Sequence, residues 1–291
     1  MKPAPFDYYA PDSLEAALAL KAQHGDDAKF LAGGQSLIPA MNFRLAQAAF
    51  LVDVNGLTDL SYIRRSDDGE LRLGALTRQR QLERDPLVKQ HAPLLHEAMP
   101  FVAHPQIRNR GTLGGSLAHA DPAAELPVIA VALGARLKAR STRGERWITA
   151  DDFFKGFFTT DLASDEMLVE VAVPPLPPRT GTAFVEFARR RGDYALMGAA
   201  ALVTLDESGH CQQACLVYLN AGEGPVSAKR AAALLVGQRP SAVAIEAAAA
   251  AADSEINPTG NVHASPEYQR HLARVLTRRA LNRAFERANG T

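Results

Sequence analysis

The sequence predicts an α+β protein built in two parts, and three observations carry that prediction. Short apolar runs alternate with capped amphipathic stretches up to about Val173. The segment "PPLPPRTG" then interrupts the chain, because Pro174, Pro175, Pro177 and Pro178 can continue neither a helix nor a central strand. Beyond it three strand candidates precede a run of helices. The division therefore falls at the prolines, with residues 1–176 as one part and 177–291 as the other.

Each element follows from local chemistry. "DSLEAALALKAQHG" offers Asp12 or Ser13 as N-cap, an apolar face through Leu14 and Leu18, and a stop at Gly25. "AKFLAGG" and "FLVDVN" read as short buried strands, so residues 1–55 form a compact β-α-β-like first subdomain with a glycine turn at its edge. In residues 56–176, the second subdomain, "ELRLGAL" reads as a strand, and "TRQRQLERDP" and "PLVKQHAPLLHEAM" as helices bounded by Pro86 and Pro100. A second glycine turn, Gly111–Ser116, precedes an apolar helix starting near Pro122 to Glu125, and "RLKARST", "RWIT" and "EMLVEVAVP" are strands. After the prolines, "TAFVEFARR", "AALVTLD" and "ACLVYLN" suggest an antiparallel meander. "AKRAAALLVG", "SAVAIEAAAAAAD" and residues 265–290 read as helices, the alanine run reflecting helix propensity.

Composition removes several function classes. Lys plus Arg and Asp plus Glu both number 32, so the molecule offers no strong field to nucleic acid or an anionic membrane. No run approaches the roughly 20 apolar residues needed for a membrane span. The N-terminus lacks a secretory apolar region, and a cytoplasmic location is expected. Cys211 and Cys215 are too few ligands for an iron–sulfur cluster or structural zinc. In a regular strand they share one face, as free thiols of a reducing compartment.

The glycine turns carry the chemistry. A diphosphate needs several backbone N–H groups aimed at one point with no Cβ in the way. "AGGQS" (Ala32–Ser36) and "TLGGS" (Thr112–Ser116) are each expected to provide this. On that view a valine at Gly33 or Gly114 would stand where phosphate sits. One isolated GG is better read as a tight turn, but two in one domain suit a dinucleotide. GxGxxG after the first strand, GxxxxGK[ST], GxSxG and HExxH are all absent. Rossmann, P-loop, hydrolase and zinc-protease readings therefore lack support.

Four segments, in order, together resemble one family: the "PFDYYAPDSLEAALAL" start, "LAGGQSLIPAMNFRL", "IRNRGTLGGSLAHADPAAELP" and "RRRGDYALMGAA". They are similar to the FAD-binding subunit of molybdenum hydroxylases, the group of aerobic carbon monoxide dehydrogenase and xanthine dehydrogenase. The resemblance spans essentially the whole chain. It implies a two-subdomain FAD-binding fold of the vanillyl-alcohol-oxidase (PCMH) type over residues 1–176, followed by a C-terminal domain of a three-stranded antiparallel sheet with helices.

By position, the resemblance places the first phosphate loop on Leu31, Ala32, Gly33, Gly34, Gln35 and Ser36, and the second on Thr112, Leu113, Gly114, Gly115 and Ser116. Gln35 stands where some relatives have histidine. Asp121 and Glu125 fall where relatives hold polar groups of FAD, Leu168 where the backbone nears the flavin ring, and Tyr194 beside that ring. Alone, these four also read as helix-start, core and packing residues. Arg189, Arg190 and Arg191 read as a surface or subunit-contact cluster.

The resemblance also implies electron transfer. FAD is bound non-covalently, a large partner subunit holds the molybdenum cofactor, and a small one holds two [2Fe–2S] clusters. A dimer of heterotrimers passes electrons to an external acceptor. A free-standing flavin oxidase and a non-catalytic scaffold remain as alternatives. The first lacks an evident covalent anchor, and the second conflicts with two intact glycine loops. The C-terminal helix, with Arg270, Arg274, Arg278 and Arg283 off its apolar stripe, is read as a solvated amphipathic helix, with a docking role open.

Overall fold

The computed structural model describes residues 2–290. The first subdomain contains β1 (Asp7–Tyr9), α1 (Leu14–His24), β2 (Ala28–Leu31), α2 (Leu37–Asn42) and β3 (Phe50–Asp53). Its sheet is parallel in the order β1-β3-β2. Ser13 caps α1 by accepting from the Ala16 amide at 3.3 Å, and Gly25 ends it at φ 52°. The buried Lys21 ammonium then donates to the carbonyls of Gly25 (2.6 Å) and Ala28 (2.8 Å), which fixes the crossing from α1 into β2. That crossing sets where the first glycine loop emerges.

The second subdomain runs through β4 (Ile63–Arg65), β5 (Leu71–Gly74), α3 (Gln79–Arg84), α4 (Pro86–His91), α5 (Pro93–Ala98), α6 (Pro105–Arg108), α7 (Leu113–His119) and α8 (Glu125–Ala132). Then come β6 (Arg136–Ser141), β7 (Gly144–Thr149), α9 (Ala150–Phe153), β8 (Phe154–Gly156), β9 (Thr159–Thr160) and β10 (Met167–Val173). The antiparallel sheet has the order β4-β5-β10-β6-β7, and β8-β9 is a separate hairpin. Two expectations change. The stretch 86–99 is two helices, broken where Pro93 has no N–H to continue the ladder. The second glycine "turn" is the first turn of α7, capped by Thr112.

The C-terminal part holds β11 (Thr180–Ala188), β12 (Ala195–Leu205), β13 (Cys211–Leu219), β14 (Val226–Ser227), α10 (Lys229–Ala233), α11 (Ala242–Ala252) and α12 (Pro266–Ala288). The expected three-stranded meander gains β14 as a two-residue fourth strand. Every residue of β12 is buried, because one sheet face packs on the second subdomain through Phe184, Ala200 and Leu202 while the other packs on the helices through Val203 and Tyr218. Burial on both faces is why "ALMGAAALVTL" is apolar without alternation.

Cys211 and Cys215 do not share a face. The register slips between Thr204/Leu205 and their partners on β13, so Cys211 enters the core under the helices while Cys215 packs toward the second subdomain. Burial pushes both thiols up to about 11, which leaves them protonated and unreactive. The α12 stripe is likewise spent internally. Leu272, Leu276 and Phe285 are buried against the sheet, while Arg278 bonds Glu246 at 2.9 Å and Arg274 meets Asp253 at 3.4 Å. Arg287 donates to Glu97 at 2.7 Å, tying α12 back to α5.

Candidate functional site

A cleft of about 570 Å³ opens between the two N-terminal subdomains and the start of β12. Both glycine loops wall it, and it reaches from Lys21 and Lys29 to Asp121, Glu125, Leu168 and Tyr194. Its size suits a large organic ligand. Of the residues expected from sequence, Leu31 and Leu113 do not line it. Leu31 packs toward Met41 and Leu51, and Leu113 is 3 % exposed in the main core, so neither offers a side chain to the cleft.

The two loops are chemically unequal. The amides of Gly33, Gly34, Gln35 and Ser36 donate to no acceptor among the described residues, whereas those of Leu113 to Ser116 in the second loop are already occupied. Leu113 donates to Thr77 O (3.0 Å), Gly114 to Ala75 O (2.8 Å), Gly115 to Thr112 Oγ1 (3.1 Å) and Ser116 to Thr112 O (3.2 Å). The expectation that both loops present free N–H groups is thus corrected. The first, with four amides free, is the one able to cradle an anion. The second is a wall that adds the Ser116 hydroxyl, which has no protein partner among the described residues.

The glycines have a different purpose from the one expected. A Cβ on Gly33 would lie 2.6 Å from Arg110 O and 2.7 Å from Gly111 Cα, and one on Gly114 would lie 2.6 Å from Ala75 Cβ. Both glycines permit backbone-to-backbone packing; a side chain there would strike protein before any ligand. Gly34, at φ 72°, supplies the turn itself. A polar network fixes the spacing. Asn55 Nδ2 donates to Ala32 O at 2.7 Å, Arg78 Nη2 donates to Asn55 Oδ1 at 2.6 Å, and Arg78 Nη1 donates to Arg110 O. Gln35 folds back on its own loop, donating to Gly33 O at 3.0 Å.

At the far end, Asp121 accepts from the Ala123 amide at 2.9 Å, an Asx turn that leads into α8. Glu125 opens α8 at 8 % exposure. Burial pushes its carboxyl up to about 7, with Asp121 adding to the rise and Arg108 opposing it. Behind it Glu186 of β11 is pushed up to about 8 by burial and then by Glu125, and its Oε2 is buried without a hydrogen-bond partner among the described residues. Leu168 lies at a register shift in β10, where the ladder gives way beside the cleft. Tyr194 is 69 % exposed at the cleft mouth, on the β11–β12 loop.

These carboxyls predict a pH dependence. Both hold protons in the fold that the unfolded chain releases near the ordinary glutamate value of about 4.3, so stability falls as pH rises. The contribution is complete below that value and is lost through about 7 and about 8. We expect the ligand-free chain to melt lower at about pH 9 than at about pH 5, with Glu186→Gln removing the upper part of the decline. Thermal scans across that range check it; a flat profile for both proteins would refute it.

Sequence reasoning missed other cleft residues. Lys29, which also lines the cleft, was legible as a cation three residues before the first glycine loop. His119 and Phe158 were not, since 39 residues separate them and only the fold brings their rings to 5.0 Å. Among the described residues no group of His, Cys, Asp and Glu is placed to hold a metal ion, and no helix is long and apolar enough to cross a membrane.

Residues 4–176 match the family described as the FAD binding domain in molybdopterin dehydrogenase, and residues 182–284 match the CO dehydrogenase flavoprotein C-terminal domain. The chain is 46 % identical to the 6-hydroxypseudooxynicotine dehydrogenase complex subunit alpha of Paenarthrobacter nicotinovorans, over 100 % of this chain and 98 % of that one. A chain of the carbon monoxide dehydrogenase of Hydrogenophaga pseudoflava superposes with a TM-score of 0.96 at 36 % identity, covering 99 % of each. A chain of quinoline 2-oxidoreductase from Pseudomonas putida 86 does so with a TM-score of 0.93 at 38 % identity, again covering 99 % of each.

Proposed function

The chain belongs to the FAD-binding subunits of the molybdenum hydroxylases, and on that premise we propose how its cleft, its domains and its partners serve that role. It is an oxidoreductase subunit that carries FAD for electron transfer in a multi-subunit dehydrogenase. The molybdenum cofactor and iron–sulfur clusters of that complex reside in other subunits. Bound FAD supplies the chemistry, accepting electrons and releasing them onward.

In the proposed arrangement residues 1–176 bind FAD non-covalently and 177–291 form the C-terminal domain. The amides of Gly33, Gly34, Gln35 and Ser36 hold the diphosphate, and their lack of any acceptor among the described residues is the observation that carries this reading. Lys29 adds charge, and the Ser36 and Ser116 hydroxyls complete the cradle. Leu31, Ala32, Thr112, Leu113, Gly114 and Gly115 shape it through backbone and packing. Glu125, with a pKa near 7, both donates to and accepts from hydroxyls of the ligand, Asp121 lies beside it, and Leu168 and Tyr194 flank the flavin ring.

A large molybdenum subunit and a small [2Fe–2S] subunit are the proposed partners, in a cytoplasmic dimer of heterotrimers that delivers electrons to an external acceptor. The test is an absorption spectrum of the complex, co-expressed from its neighbouring genes, before and after acid precipitation. Acid-released flavin with copurifying iron–sulfur and molybdenum chains is expected. Flavin that stays attached would point to a tether such as His119, which lines the cleft, and to a free-standing oxidase. No flavin would leave a scaffold.

A further inference from the structure

Phe158 occupies the tip of the β8–β9 hairpin with a left-handed backbone (φ 50°); the residue is 57 % exposed and lines the cleft. A left-handed backbone is unfavourable for a bulky residue, and an exposed phenyl ring gains nothing from water. Strained residues persist where their surroundings hold them, and they concentrate at ligand sites. Here the hairpin does the holding. Phe154 pairs with Thr160 and Gly156 with Thr159, Thr159 Oγ1 donates to Phe157 O at 2.9 Å, and the Asp161 amide donates to Phe153 O at 2.8 Å.

The ring meets the His119 imidazole at the end of α7, another residue that lines the cleft, centroid to centroid 5.0 Å and tilted by 47°. Burial lowers the pKa of His119 against the opposing pull of Asp121, so the bracing ring is neutral near pH 7. Two aromatic residues, Phe158 and Tyr194, therefore offer exposed rings to one cleft. FAD brings two planar ring systems.

We propose that Phe158, braced by His119, is a stacking residue of the cleft that carries one of the two heteroaromatic rings of FAD. This rests on the FAD reading above. A ring at the wall of a concave cleft and in contact with another cleft residue is placed for a ligand, whereas a docking residue projects from the outer surface. Its apolar π-face accepts either adenine or isoalloxazine, because both are flat and electron-poor at their edges.

The test uses the full chain co-expressed with its partner subunits, stripped of flavin and retitrated with FAD, ADP and riboflavin. Phe158→Leu is expected to weaken FAD by roughly tenfold, the scale of one lost ring stack, and Phe158→Tyr to keep wild-type affinity. A parallel loss for ADP assigns the ring to adenine, and a parallel loss for riboflavin assigns it to isoalloxazine; either supports the proposal. Equal FAD affinity in wild type and Phe158→Leu overturns it, as does Phe158→Tyr binding as weakly as Phe158→Leu. Full FAD binding with loss of the partner subunits overturns it in favour of a docking surface. A wild-type complex that takes up no FAD overturns the underlying reading as well.

Discussion

Replacing Gly33 by valine is expected to strip FAD from the assembled complex. The new Cβ would sit 2.6 Å from Arg110 O and 2.7 Å from Gly111 Cα, and neither backbone atom can rotate aside. The two glycine loops must separate instead. That movement breaks the register in which Asn55 and Arg78 hold the Ala32 and Arg110 carbonyls, and it turns the free amides of Gly33–Ser36 away from one another. With its converging donors dispersed, the loop no longer offers several amides to one diphosphate, so FAD should be lost on a column. Gly34→Ala is the informative comparison. Its Cβ meets only the side chains of Leu31 (3.1 Å) and Ile38 (3.2 Å), and its cost is mainly the left-handed backbone, about 1–2 kcal/mol. Gly34→Ala should thus keep partial flavin while Gly33→Val keeps none. The flavin-to-protein ratio of each purified complex is the measurement, and a normal ratio in a folded Gly33→Val complex would falsify the packing argument.

That comparison shows what the sequence carried and what it withheld. "AGGQS" and "TLGGS" were legible as a paired feature, but whether the amides of Leu113 and Gly114 are free depends on Thr77 O and Ala75 O, which arrive from another stretch of chain. Sequence can show that a loop has donors; it cannot show that the donors are spent. The strands around the loops were legible because each is a short apolar run with a turn residue at its end. β12 was legible for the opposite reason, its unbroken apolar run requiring burial on both faces. The paired cysteines misled because a register slip in β13 reverses facing, and such slips leave no mark in an otherwise regular pattern. The break at Pro93 was written in the chain, yet the apolar spacing from Leu87 to Leu95 runs through it. In the sequence Phe158 is only one of two adjacent phenylalanines in "GFFTT", with nothing to single it out; its backbone conformation and His119 partner are tertiary facts.

The largest effect on stability is expected at Gly181, on β11. A Cβ there would lie 1.9 Å from Ala284 O and 2.5 Å from Ala288 N, both backbone atoms of α12, so even alanine forces the helix off the sheet. That helix buries Leu272, Leu276, Leu281 and Phe285 against β11–β13, and its Arg287 holds Glu97 of the neighbouring subdomain. Overpacking a core costs typically 1–3 kcal/mol when side chains can yield, and a clash of backbone with backbone belongs above about 4 kcal/mol. Gly181→Ala should therefore melt far below the wild type or fail to fold. Gly237→Ala, at φ 77° with nothing within 4 Å of its Cβ, controls for glycine loss alone and should cost only about 1–2 kcal/mol. The damage should also reach the cleft, because β11 and β12 hold the two ends of the loop that presents Tyr194, and β11 places Glu186 behind Glu125. Flavin release and unfolding should consequently coincide in a thermal scan of Gly181→Ala, if it folds, whereas Gly33→Val should be flavin-free and still show a cooperative unfolding transition. A Gly181→Ala protein that melts with the wild type would show that α12 has slack the close approach at Gly181 denies.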